Sequence, residues 1–149
     1  MHANNVFDVL GRFLHMKVDT HNFTSALNAV LAQRLVRINC PECTVEARPD
    51  AALLADSRIP AQELGDYRFM RGAGCAHCRG TGYRGRKAIG ELLVMNDVLR
   101  ELIVAREPVR KLREAARAAG AIPLREAALA LVKSGESTLE EINRVVFVT

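Results

Sequence analysis

Apolar positions in the first part of the chain recur at helical spacing. Val6, Val9, Leu10 and Phe13 fall on one face and predict an amphipathic helix over 6–16. Phe23, Leu27, Val30 and Leu31 repeat that spacing and predict a second helix over 23–34, with Asn22 as its cap. Leu35 to Ile38 reads as a short extended stretch. Asp50 behind Pro49 starts a short helix over 51–55, and Pro60 another over 60–64. Residues 79–86 carry three glycines and read as irregular backbone; the apolar run from Ala88 to Met95 reads as a strand. The last third is helical in pattern. Val98, Leu99, Leu102 and Ile103 share one side of a helix over 97–105. Pro108 suits the first position of a helix over 108–119, and Gly120 the left-handed residue behind it. A further helix over 123–134 stops at Gly135, and Thr138 with Glu141 forms a capping-box pattern for a last helix over 139–147. These patterns predict an α+β class, mainly helical.

Composition narrows the reading little. With 149 residues, 49% of them hydrophobic, the chain makes one domain or two small ones. There is no run of eighteen apolar residues, so no transmembrane helix is expected. A net charge of +4 fits contact with acidic lipid or nucleic acid without demanding it. Trp is absent and Tyr occurs twice, which argues against a stacking platform for single strands. Arg110, Arg113 and Arg117 line one face of the 108–119 helix and read as a solvated face.

The cysteines change the picture. Cys40, Cys43, Cys75 and Cys78 are the only four, in two Cys-x-x-Cys pairs separated by thirty-one residues. Each pair lets a tight turn aim two thiolates at one point, and two pairs supply the four sulfurs of a closed tetrahedral zinc site. Disulfides are the rival reading; with no export signal apparent, reduced thiols and a cytoplasmic location are expected. A four-sulfur shell leaves no position for water, so such a zinc is structural. Its excess negative charge makes Arg37, Arg79, Arg84 and Arg86 candidates for the shell around the sulfurs, with Lys87 nearby. His77 lies inside a pair and reads as a spectator, and no catalytic residue is assigned. No Gly-x-x-x-x-Gly-Lys-Ser/Thr is present, so the chain shows no phosphate-cradling loop of its own and is expected to be inactive alone.

The chain resembles the C-terminal portion of the type II secretion and type IV pilus assembly ATPases. The carrying segments are His-Ala-Asn-Asn (2–5), Ala-Gln-Arg-Leu-Val-Arg (32–37), Cys-Pro-Glu-Cys (40–43) and Gly-Cys-Ala-His-Cys-Arg-Gly-Thr-Gly-Tyr-Arg-Gly-Arg (74–86). Ile89 to Leu93, then Gly135 through Val145, continue the match. The resemblance implies the tail of a RecA-like ATPase core over 1–38, a tetracysteine zinc lobe over 39–95 and a C-terminal helical bundle over 96–149. It implies a hexameric motor at the cytoplasmic face of the inner membrane. Its partners would be its own copies and a membrane platform protein, with ATP and Mg2+ used by the full-length parent. It also implies that Cys40, Cys43, Cys75 and Cys78 hold Zn2+, and that His2 lies near the nucleotide phosphates. Gln33 and Arg34 match a motif without an assigned role.

The phosphate loop and acidic magnesium boxes of that family would lie upstream of His2, so the chain is expected to be a truncated product or a cut piece. The apolar faces carried by Val6, Leu10 and Phe13 and by Leu27 and Leu31 would then lack their sheet and form an exposed patch. Two other readings compete. Cys75-Ala-His-Cys78-Arg-Gly80-Thr-Gly82 satisfies one repeat of a J-domain cochaperone zinc module, but the first pair lacks the glycines. A zinc-ribbon nucleic-acid binder fits the basic charge, and the helical last third counts against it.

Overall fold

The computed structural model describes residues 5–16 and 19–146. It is a mixed helix and strand structure whose residues gather into two compact units, one of 1–33 with 90–124 and one of 34–89 with 125–149. His2, placed near nucleotide by resemblance, lies outside the described residues.

The first unit begins with α1 (Val6–His15), capped by the Asn5 side chain, which accepts from the Asp8 N–H. The next helix, α2, is Thr20–Ala26, and its cap is Asp19, not Asn22. β1 (Ala29–Asn39) then starts where the spacing predicted helix to continue. The correction has a local cause. Leu27 takes extended backbone and ends α2, and from Ala29 exposure alternates with Val30 and Ala32 buried and Leu31 exposed. A period of two had been hidden beneath a fortuitous 23-27-30-31 spacing, and the partner strand decides between them. That partner is β4 (Tyr83–Val94), paired with β1 in a two-stranded sheet. The pairing is antiparallel: Gly90 lies beside Leu31 and Ala32, Gly85 beside Ile38, and Cys40 N–H donates to the Gly82 carbonyl.

Two more helices complete this unit, α4 (Asp97–Val104), capped by Asn96, and α5 (Val109–Ala118) behind Pro108. Gly120 takes φ +89 beyond the end of α5, as its left-handed role requires. Val6, Leu10, Val30, Leu93, Leu99 and Ile103 form the heart of one apolar cluster, and the Phe13 and Phe23 rings stack at 4.9 Å. Val6 and Leu10 are therefore not part of an exposed patch; residues 90–124 cover them. Leu31 does stay exposed, as do Leu92, Val94 and Ile122.

The second unit holds the other halves of β1 and β4. Its short strands β2 (Thr44–Glu46) and β3 (Met70–Gly72) pair antiparallel with Thr44 opposite Gly72. Between them lie α3 (Ala51–Asp56), capped by Asp50, and a 3-10 helix over Ala61–Asp66 behind Pro60. β4 begins at Tyr83, so residues 83–86 are strand where glycines had suggested irregular backbone; Gly85 takes φ +84 within it. α6 (Leu124–Lys133) ends before Gly135 at φ +77, and α7 (Leu139–Val145) starts behind Thr138. Arg125 ties three of these elements by donating to the Ser57 carbonyl at the end of α3 and to Asn143 Oδ1 on α7. Val36, Ala128, Val132, Leu139 and Ile142 are buried here.

Candidate metal centre

β1 delivers the first cysteine. Cys40 follows its last residue, is fully buried, and its N–H donates to the Gly82 carbonyl at 2.9 Å. The chain then turns through Pro41 and Glu42, closed by Cys43 N–H to the Cys40 carbonyl at 3.3 Å, with Thr44 Oγ1 donating to the same carbonyl. The second pair sits in a like turn. Gly80 N–H donates to the Cys75 carbonyl at 2.9 Å, and Arg79 and Gly80 both take positive φ, +54 and +77. The two turns are joined by a backbone approach that only glycine allows. A Cβ on Gly82, itself at φ +76, would meet the Gly72 carbonyl oxygen at 2.5 Å. Ala73 N–H to the Cys43 carbonyl at 2.8 Å completes the joint.

The four sulfurs lie within 4.8 Å of one another. Three separations are closer: Cys40 to Cys75 at 3.9 Å, Cys43 to Cys78 at 3.9 Å and Cys75 to Cys78 at 3.8 Å. Zinc–sulfur bonds of about 2.3 Å in a tetrahedron set sulfurs about 3.8 Å apart, so the residues fit the ion. A disulfide needs about 2.05 Å, and the four thiols are free. Backbone N–H groups point at the sulfurs as well: Gly74 at Cys43 (3.3 Å), and Cys75 and Gly82 at Cys78 (3.2 and 3.3 Å). The Cys75 N–H, joined by that of Gly82, brings the Cys78 thiol down to about 6, whereas burial pushes Cys43 up to about 11. A loop that aims N–H groups at sulfur is prepared for thiolate, the form that binds metal.

The cations proposed around the sulfurs go to different places. Arg84 Nη1 donates to the His77 carbonyl at 2.9 Å, bringing β4 to the second turn. Arg79 and Arg86 are exposed and have no ion-pair partner among the described residues. Lys87 pairs with Glu136 at 2.7 Å. Arg37 turns to Glu141, donating from Nε and Nη2 at 2.9 and 2.6 Å, with its own backbone N–H on the other oxygen at 3.0 Å. Its guanidinium lies 4.3 Å from the Tyr83 ring centre, and Tyr83 Oη shares a 2.7 Å hydrogen bond with Thr138 Oγ1. Arg144 adds two bonds to the same carboxylate at 2.9 and 2.7 Å.

This network was not visible in the sequence. Thr138 does cap α7 by accepting from the Glu141 N–H, but the Glu141 side chain serves the arginines. The spacing of Glu141 and Arg144 was the one available signal; Arg37 stands 104 positions away. Burial pushes the Glu141 carboxyl up, yet bonds from Arg144 and Arg37 outweigh it and hold it at about 2.

A family model described as type II/IV secretion system protein matches residues 1–144. The chain is 41% identical over 142 residues to the type IV pilus assembly ATPase PilB of Thermus thermophilus, covering 95% of this chain and 16% of that protein. It is 39% identical to the type II secretion system protein HxcR of Pseudomonas aeruginosa, over 97% of this chain and 27% of that protein. To the type II secretion system ATPase E of Vibrio cholerae the identity is 35%, over 97% and 28%. The chain thus spans between about a sixth and just over a quarter of these relatives. Two cysteine pairs converging on one point, in a chain that the family model matches almost throughout, make this a member of the type II/IV secretion system ATPase family.

Proposed function

We propose that the chain is the zinc-clasped C-terminal module of a motor ATPase that drives protein secretion or pilus assembly. The supporting observation is the set of four sulfurs at the separations a tetrahedral zinc requires. Zinc, when bound, supplies two positive charges that hold four thiolates together and stabilise the fold around them. The chain's own residues do the rest. Cys40 and Cys43 anchor the end of β1, Cys75 and Cys78 anchor the turn before β4, and Gly72 and Gly82 let the two approach.

In this reading residues 1–38 are the tail of a RecA-like core, with His2 near bound nucleotide. Residues 39–95 are the zinc lobe, and 96–149 a helical bundle. The intact motor is a homo-hexamer at the cytoplasmic face of the inner membrane, uses ATP with Mg2+, and relays nucleotide-driven motion to a membrane platform protein. Motion can be transmitted only by a lobe that keeps its shape, and a closed metal site provides that rigidity. No helix among the described residues is long and apolar enough to cross a membrane, which is consistent with a peripheral position.

The test replaces Cys75 with Ser in the full-length protein. Secretion or piliation is expected to fail while binding of an ATP analogue persists. Normal secretion by the variant would defeat the proposal. This chain alone, without a phosphate loop, is expected to bind about one zinc, as a single closed site requires, and to turn over no ATP.

A further inference from the structure

We infer that the zinc-bearing unit presents a cationic docking surface for a carboxylate-rich segment of a partner protein, centred on Arg79, Arg84 and Arg86. This rests on the module of the preceding section being folded, and names the chemistry of what it meets. Residues 67–90 contain six cations, Arg68, Arg71, Arg79, Arg84, Arg86 and Lys87, and no Asp or Glu. One of them, Lys87, is answered by Glu136. Two positive charges suffice to offset a zinc tetrathiolate, so a surplus remains that the site itself does not use.

The geometry gathers that surplus. On β4, Tyr83 and Lys87 bond Thr138 and Glu136, whereas Arg84 and Arg86 stand exposed at alternate positions and so share the opposite face. The bond from Arg84 to the His77 carbonyl carries that face onto the turn bearing exposed His77 and Arg79. Arg79 and Arg86 have no ion-pair partner among the described residues. All three central residues are arginine, whose planar fork matches a carboxylate with two parallel bonds. A bilayer is the poorer fit, since no large apolar side chain between residues 67 and 87 is among the exposed ones available to enter it. A nucleic acid is poorer too. The one tyrosine of that strand already carries the Arg37 guanidinium over its ring.

The experiment uses the full chain, with zinc content assayed in the same preparation. A labelled peptide of about ten glutamates is titrated at low salt, where exposed charges act over about a Debye length. Anionic vesicles of phosphatidylglycerol in phosphatidylcholine, and the protein's own self-association, are followed in parallel. The peptide is expected to bind, and the pair Arg79→Glu and Arg86→Glu, whose side chains bond nothing in the metal centre, to weaken it at least about tenfold, with zinc content unchanged. Arg110→Glu, on α5 of the other unit, is expected to change it less than about twofold. Equal binding by the reversed pair overturns the inference, as does vesicle binding or self-association without peptide binding. Zinc present with no peptide binding would sink the docking surface and leave the metal centre standing.

Discussion

Glu141 shows how one side chain can organise a site that the sequence assigns to something else. Its carboxylate is buried, and its two oxygens accept five bonds, all from Arg37 and Arg144. A carboxyl held at about 2 in the fold binds its proton less readily than in the unfolded chain. Its contribution to stability is therefore present above about pH 4.5 and is lost as pH falls toward 2. Replacing it with Ala is expected to cost about 1–3 kcal/mol at neutral pH in a urea melt. The cost falls below that of breaking a fully buried pair because both guanidinium groups keep water contact. The acid-side loss should shrink in the variant. Glu91 behaves in the opposite sense. It is buried on β4, accepts from the Val6 N–H at 3.4 Å, and burial raises its pKa. Stability carried by its protonated form declines as pH rises from about 4.5 through the folded-state value. Glu91→Gln keeps an acceptor oxygen for α1 and is expected to flatten that decline in melts run across the same range.

At the scale of elements, legibility followed how local the cause was. Cysteine spacing, the Asp50 and Thr138 caps, and the stops at Gly120 and Gly135 are short-range signals, and the structure carries all of them. β1 depends on a distant partner, β4, which begins only at Tyr83, so helical spacing at 23-27-30-31 misled until β4 was in place. The shielding of Val6 and Leu10 likewise comes from residues 90–124, which no local pattern announces. The cysteine turns themselves rest on Gly82, whose N–H reaches Cys78 and whose carbonyl accepts from Cys40. Gly82→Ala is expected to destabilise the zinc-bearing unit by about 2 kcal/mol or more and to speed zinc loss to a chelator. Gly120→Ala also sits at positive φ but meets nothing within 4 Å, so it should cost only about 1 kcal/mol and leave zinc retention alone.

For the molecule as a whole, the two units depend on different forces. The core around Leu10, Leu93, Leu99 and Ile103 contains no cysteine and stands on apolar burial. With zinc bound, the unit around the sulfurs would gain a binding energy of about 10–16 kcal/mol, comparable with the stability of an ordinary domain. Chelation is therefore expected to collapse hydrogen-exchange protection in residues 34–89 first, while amides near Leu99 and Ile103 keep theirs longer. Equal and simultaneous loss would mean that zinc is not what holds the second unit. The most direct test is elemental analysis of freshly purified native chain with thiol counting on the same sample, beside Cys75→Ser. A tetrathiolate clasp requires about one zinc per chain, four thiols titrating only after chelation, and loss of the metal in the variant. Metal-free protein with four freely reactive thiols, or with the cysteines oxidised to one another, would contradict it.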